Sequence, residues 1–317
     1  MEPTPPRIEI FAPFGEAFEL MRKILFRPFD IGKWLVIGFA AWLATFFSGI
    51  GFSYRTNFRN QDWHWHFART GEAIRIEHAP IWVIPLLVAA VLVGLAVAAL
   101  LLWLNSRARF IFTDCIVRNR AAIVQPWKEF RSEGDRYFVL QIVISFCSLL
   151  IVGGLALVFF AGKYTDNTLL PLAIIILLAV CFGLAAVVVA AIMHLMIPVM
   201  YRQRCSATSA FSQVWRLIVS HPAIFILFAL FYVVIYVAGA MISCLLSCVT
   251  CCVAALPYIG TVILLPVVLV LYAFPLCFMR QFGEPYDAWA TIRSEEPPPL
   301  PEAPPVQLPP PPPPPSP

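Results

Sequence analysis

Six long stretches of this chain carry apolar residues with almost no polar break, roughly Trp34 to Phe52, Ile81 to Leu104, Phe138 to Phe160, Leu170 to Met200, Ala223 to Ser247 and Ala254 to Met279. A bilayer core about 30 Å thick needs about 20 mostly apolar residues per helix, so each stretch is expected to cross a membrane. Six such helices without a polar stripe would have nothing to present to water, which argues against a soluble bundle. The expected fold is therefore all-α: a polytopic membrane protein with six transmembrane helices.

A second pattern precedes the odd-numbered stretches. Ala17, Leu20, Met21, Ile24 and Leu25 recur at helical spacing opposite Glu16, Glu19, Arg22, Lys23 and Arg27, which predicts an amphipathic helix. Ala210, Phe211, Val214, Leu217 and Ile218 repeat the design against Ser212, Gln213, Arg216 and Ser220. A shorter copy lies at "WKEFRSEG", Trp127 to Gly134. In register, Met21, Trp127 and Trp215 are each followed by a cation, Arg22, Lys128 and Arg216, and then after five residues by Pro28, Gly134 and Pro222. Three units of one plan are expected, about 14–108, 109–205 and 206–289, each an interfacial helix followed by an out-and-back pair of spans, repeated in parallel orientation. Such a helix is expected to lie in the headgroup plane with its apolar side down and its cations toward anionic lipid of the cytoplasmic leaflet, the Pro or Gly marking the bend into the span.

Composition agrees: the 317 residues are 60% hydrophobic and 13% charged, with mean hydropathy +0.81 and net charge +4. The cations are unevenly placed. Seventeen Lys and Arg fall before the first stretch, after the even-numbered ones or after the last, against five on the other side, Arg55, Arg59, Arg69, Arg75 and Lys163. The positive-inside rule then puts both termini in the cytoplasm. The first stretch starts more than thirty residues in, behind an amphipathic segment with no clean cleavage site, and reads as a retained span rather than a secretory signal.

The phrases "RKILFRPFDIGKWLVIGFAAWL", "RARFIFTDCIVRNRAAIVQPWKEF" and "LPYIGTVILLPVVLVLYAFPLCFMRQFG" resemble an uncharacterised family of bacterial six-span membrane proteins. That group is similar in plan to the membrane domain attached to some glycerophosphoryl diester phosphodiesterases. The resemblance covers about Phe14 to Trp289 and implies a bacterial inner-membrane protein without an assigned activity. It brings no catalytic residues, because the phosphodiesterase chemistry belongs to a separate soluble barrel.

Candidate chemistry is sparse. "DWHWHF", Asp62 to Phe67, sets His64 and His66 two apart, a possible Zn or Cu pair, but two Trp beside them favour an interfacial aromatic hairpin. "CLLSCVTCC" places Cys244, Cys248 and Cys251 on one helical face with Cys252 beside them; packing in an apolar helix end is favoured over a thiolate cluster or disulfide. His194 is the ionisable residue well inside a predicted span, open both to a functional role and to a helix-pairing hydrogen bond. Pro257, Pro266 and Pro275, nine apart, are expected to kink the last span. Gly-rich phosphate loops, HExxH, GxSxG and paired carboxylates are missing from the sequence, so neither enzyme activity, cofactor, resident metal nor nucleic-acid partner is expected.

Residues 291–317 form a Pro-rich tail that cannot build a core and should extend as polyproline II in the cytoplasm, either as a spacer or as a ligand for a protein partner with an aromatic-lined groove. Three functions follow in order of preference: a non-catalytic membrane protein organising lipid or protein partners, a transporter or lipid carrier using the kinked last span, and an accessory membrane domain of a lipid-processing system.

Overall fold

In the computed structural model, residues 9–46, 82–162, 169–250, 256–290 and 292 are described, and every regular element among them is helical. In chain order these are α1 (Phe11–Phe26), α2 (Ile31–Thr45), α3 (Val83–Val117), α4 (Val124–Glu129), α5 (Arg131–Gly162), α6 (Leu169–Gln203), α7 (Ala207–Ser220), α8 (Pro222–Val249), α9 (Pro257–Ile263) and α10 (Leu265–Arg280), then a 3-10 turn at Glu284–Tyr286. Local chemistry sets several boundaries. The Asp30 side chain accepts a hydrogen bond from the Gly32 N–H at 2.8 Å and opens α2, and the Ser206 hydroxyl does the same for α7 from Ser209 at 3.3 Å, satisfying donors that a helix start leaves free. Pro222, Pro257 and Pro266 stand in first turns, where a missing N–H breaks no bond. After α3 the chain turns through Asn119 at φ 50°, a left-handed conformation that a short polar side chain tolerates.

Among the described residues, α3, α5, α6 and α8 are the four helices long and apolar enough to cross a membrane. They cover the second to fifth stretches expected from the sequence. The first and last differ. α2 has 15 residues, about 22 Å at 1.5 Å per residue, against a hydrocarbon core of about 30 Å; its final carbonyls are capped inside the bundle by Asn105 and Tyr272. The last stretch divides at Leu264 into α9, of 7 residues, and α10, of 16. Pro257 and Pro266 therefore begin helices, and only Pro275 lies inside one. The outer part of the expected first span, the "DWHWHF" loop, Cys251, Cys252 and the Pro-rich tail lie outside the described residues.

α3 has 35 residues, about 52 Å, so it runs well past a bilayer core at one end. Two zones result. Toward the starts of α3 and α6 and the ends of α5 and α8, apolar side chains such as Leu87, Leu95, Leu157, Leu184 and Val237 are exposed, the arrangement that hydrocarbon rather than water accommodates. At the opposite end the chain is close-packed. The last third of α3, the end of α6, α1 and nearly all of α10 bury Phe112, Ile116, Met196, Met200, Phe274 and Phe278 in one core. The start of the described chain meets the end of α10 at this base: the Glu9 N–H donates to Gln281 Oε1 and the Gln281 amide donates back to the Glu9 carbonyl, each at 2.8 Å.

The amphipathic helices turn their apolar faces differently from the expectation. α1 buries Ala17, Met21, Ile24 and Leu25 against the bundle, chiefly α10, rather than offering them to lipid. The reason is competition between surfaces: α10 presents an almost continuous apolar cylinder that α1 covers on one side. What α1 leaves outside is Phe11, Phe18 and Phe26 beside Arg22, Lys23 and Arg27. α7 likewise buries Ala207, Ala210 and Val214. The third copy is only the 6-residue α4, and Gly134 lies inside α5 instead of marking a bend. A Cβ at Gly134 would stand 2.8 Å from Arg107 Cγ and 3.3 Å from its Cα, so glycine here allows α3 and α5 to approach.

Candidate functional site

The last third of α3 carries polar residues every fourth position, Asn105, Arg109 and Thr113, which puts them on one face of the helix. That face points into the protein. Asn105 donates from Nδ2 to the carbonyls of Leu43 at 2.7 Å and Ala44 at 2.9 Å, closing α2, and its Oδ1 accepts from Arg109 Nε at 3.2 Å. Arg109 Nη1 donates to the Tyr137 hydroxyl at 2.7 Å, and Tyr137 donates onward to the Met193 carbonyl at 3.2 Å. Arg109 is only 6% exposed, and among the described residues no carboxylate pairs with it. A buried cation normally acquires a counter-charge, because taking it out of water is costly.

Arg109 lines a cavity of about 930 Å³ walled by α5, α6 and α8, with α7 contributing Thr208 and Phe211. The walls are mainly apolar, among them Leu140, Ile151, Phe182 and Val233; Tyr137, Gln141, His194 and Tyr232 line it together with Arg109, and Ser145, Ser148 and Thr208 add scattered hydroxyls. His194 Nε2 lies 3.1 Å from the Tyr232 hydroxyl, and its ring meets Tyr272 edge-on at 5.2 Å. It thereby ties α6 to α8 and α10. Gln141 Oε1 is buried without a hydrogen-bond donor. The cavity thus combines apolar walls with a few convergent polar groups, the usual form of a ligand site, at the upper end of the usual volume range.

Below the cavity a charged collar fastens the base. Asp114, fully buried, receives Arg120 at 2.9 Å, Arg118 at 3.3 Å and the Tyr201 hydroxyl at 2.9 Å. Glu129 pairs with Arg204, whose guanidinium also lies 3.8 Å from the centroid of Phe130 and 3.7 Å from Glu133. Nearby, Arg107 makes a two-pronged pair with Asp135 at 2.7 and 2.8 Å and sits 4.1 Å over Trp103, with Trp127, perpendicular to Trp103, at 5.2 Å. These contacts bind α3, α4, α5 and the α6–α7 turn into one body. They have the geometry of a structural network rather than of a reacting centre.

The residues singled out from sequence fall into different settings. Met21 is buried, Trp127 half-buried and Trp215 exposed, so the three repeat copies share a place in the chain but not an environment. Arg22, Lys128 and Arg216 are all exposed; Pro28 stands between α1 and α2, and Pro222 is the first residue of α8, directly after the turn that follows α7. Arg22 also borders a second cleft, of about 850 Å³, between α1 and the end of α3. His194 lines the same cavity as Arg109. Arg109, Tyr137, Gln141 and Tyr232 were not anticipated, because Arg109 reads in sequence as one of several loop cations. Its four-residue spacing from Asn105 and Thr113 was the available signal. Among the described residues no three His, Cys, Asp or Glu side chains converge to hold a metal.

Every regular element among the described residues is helical, and four of these helices are long and apolar enough to cross a membrane, the mark of an α-helical membrane protein. The chain belongs to the family of unknown function DUF7544, whose description matches residues 9–283. No curated protein and no solved structure matches it.

Proposed function

We propose that this chain is a non-catalytic, multi-pass protein of the bacterial cytoplasmic membrane that organises anionic lipid at the inner leaflet. The observation that carries this reading is the outward side of α1, where exposed Phe11, Phe18 and Phe26 accompany Arg22, Lys23 and Arg27, three cations against the two exposed carboxylates Glu16 and Glu19. Phenyl groups at that level enter the acyl boundary while each cation gains about 1 kcal/mol from an anionic surface, which repulsion of Glu16 and Glu19 partly offsets, leaving a net electrostatic contribution of about 1 kcal/mol. The cation-rich base supports a cytoplasmic orientation by the positive-inside rule. The segments holding α2 and α9–α10 would supply the first and sixth crossings. Four crossings or six, the number is even, in keeping with Glu9 and Gln281 meeting at one end. The Pro-rich tail would then extend into the cytoplasm as a docking segment for a protein partner.

The test is reconstitution in vesicles that mix phosphatidylglycerol with phosphatidylcholine, using spin-labelled forms of each lipid to measure their relative occupancy of the first lipid shell. The wild type should prefer the anionic lipid several-fold, and the combined Arg22→Glu, Lys23→Glu and Arg27→Glu variant should lose that preference. Equal shells in both proteins would overturn the proposal. A second reading, a lipid carrier or an accessory domain of a lipid-processing system, is favoured by the lateral cavity and by the resemblance to phosphodiesterase membrane domains. It predicts faster passage of a fluorescent lipid between the leaflets of these vesicles.

A further inference from the structure

We infer that the cavity between α5, α6 and α8 is a binding site for one anionic membrane lipid of the cytoplasmic leaflet, with its charged head on Arg109 and an acyl chain along the apolar walls. The proposal rests on the membrane reading above, but not on the α1 surface.

Charge is the first argument. The Arg109 guanidinium is 6% exposed and lines the cavity, and Nε and Nη1 are held by Asn105 and Tyr137, both neutral. Its orientation is thus fixed while its charge stays unbalanced among the described residues. A phosphate is the complement of such a fork, since it accepts in the plane of the guanidinium and supplies the missing negative charge. Gln141 Oε1, buried on the same cavity without a donor, would accept a hydroxyl of a polyol head. Tyr137 and His194 already spend hydrogen bonds on the Met193 carbonyl and on Tyr232, so they position the site rather than compete for the ligand.

Dimensions are the second. Along α5 the lining runs from Tyr137 to Ile151 and along α6 from Phe182 to Leu195, about 20 Å in each case at 1.5 Å per residue. Half of a bilayer core is about 15 Å, so the groove has the length of one leaflet's acyl chain plus its head. The polar end is also at the right depth. Trp103, one and a half turns before Arg109 on α3, donates from Nε1 to Asp135 at 2.9 Å and packs edge-on against Trp127. Such tryptophans mark the membrane interface. Arg109 therefore sits at headgroup level, inside the protein, with the apolar walls continuing toward the membrane centre.

The site is tested by native mass spectrometry of protein released from vesicles of equal phosphatidylglycerol and phosphatidylcholine. The wild type should retain one phosphatidylglycerol per chain after the loose lipid shell is stripped. Arg109→Gln should cut that retention about tenfold or more, the loss expected for one charged hydrogen-bonded contact. Because Arg109 also braces Asn105 and Tyr137, a second variant fills the groove without touching them: Ala190→Trp, at an exposed lining position, should fold and lose the lipid. Retention of phosphatidylcholine as readily as phosphatidylglycerol, or full retention by Ala190→Trp, would overturn the assignment. The α1 charge-reversal variant should keep the bound lipid, so failure at α1 and failure here give different results.

Discussion

Gly134→Ala tests the helix packing on which the base and the cavity both depend. The new methyl would stand 2.8 Å from Arg107 Cγ, 3.3 Å from its Cα and 3.5 Å from its Cβ, where carbon atoms prefer about 3.5–4.0 Å. Arg107 cannot simply swing aside, because Asp135 holds it by three hydrogen bonds of 2.7 to 3.0 Å and its guanidinium packs on the rings of Trp103 and Trp127. α3 and α5 must then separate by about half an ångström or more, an overpacking cost of about 1–3 kcal/mol. Replacing a helical glycine by alanine gives back up to about 1 kcal/mol of backbone entropy. Gly153, in the same helix with open space around its Cβ position, supplies the control. Gly153→Ala makes the same backbone change without the clash. The difference between the two variants should therefore be about 1–3 kcal/mol, measured as reversible unfolding in bicelles, with Gly134→Ala the less stable. Equal stability of the two would refute the close α3–α5 contact.

Three further outcomes follow from the buried groups. Asn105→Ala strips the cap from the Leu43 and Ala44 carbonyls and leaves Arg109 Nε without its acceptor; a loss of about 2–4 kcal/mol in the same unfolding assay is expected, and a change under 0.5 kcal/mol would contradict the network. Tyr201→Phe removes the hydroxyl bound to buried Asp114 while two arginines remain, so a smaller loss of about 1–2 kcal/mol is expected. Cys205, in the turn between α6 and α7, has its thiol pushed above the ordinary value chiefly by burial. Since the thiolate is the reactive form, its alkylation in inverted membrane vesicles should be slow near neutral pH and keep rising as pH passes the ordinary thiol value. A rate that levels off at or below that value, or labelling from the periplasmic side, would contradict this environment or the orientation.

The apolar runs were legible because a bilayer-length helix needs little more than length and the absence of charge, and α3, α5, α6 and α8 meet both conditions. α2 and α9–α10 were read as full spans for the same reason. Asn105 and Tyr272 hold the last carbonyls of α2, and the last stretch breaks at Leu264 just before Pro266, features that composition does not record. The amphipathic faces of α1 and α7 were visible as periodicity, but periodicity does not say whether lipid or protein covers a face, and α10 covers that of α1. Arg109 was hidden by a boundary error: ending the second span at Leu104 placed it among loop cations, although α3 continues unbroken to Val117. His194 was found because it interrupts an apolar run. Tyr137, Gln141 and Tyr232 interrupt nothing unusual, and only the folded arrangement brings them to one cavity.

The central claim is that this protein gathers anionic lipid at the inner leaflet. It is tested most directly by excising the chain from its native membrane in polymer-bounded discs, full length and truncated after Glu296, and counting every lipid and protein retained against the bulk membrane. The account predicts anionic lipid enriched several-fold over bulk in both forms, with any protein partner lost on truncation. A lipid content equal to bulk in both forms would contradict it.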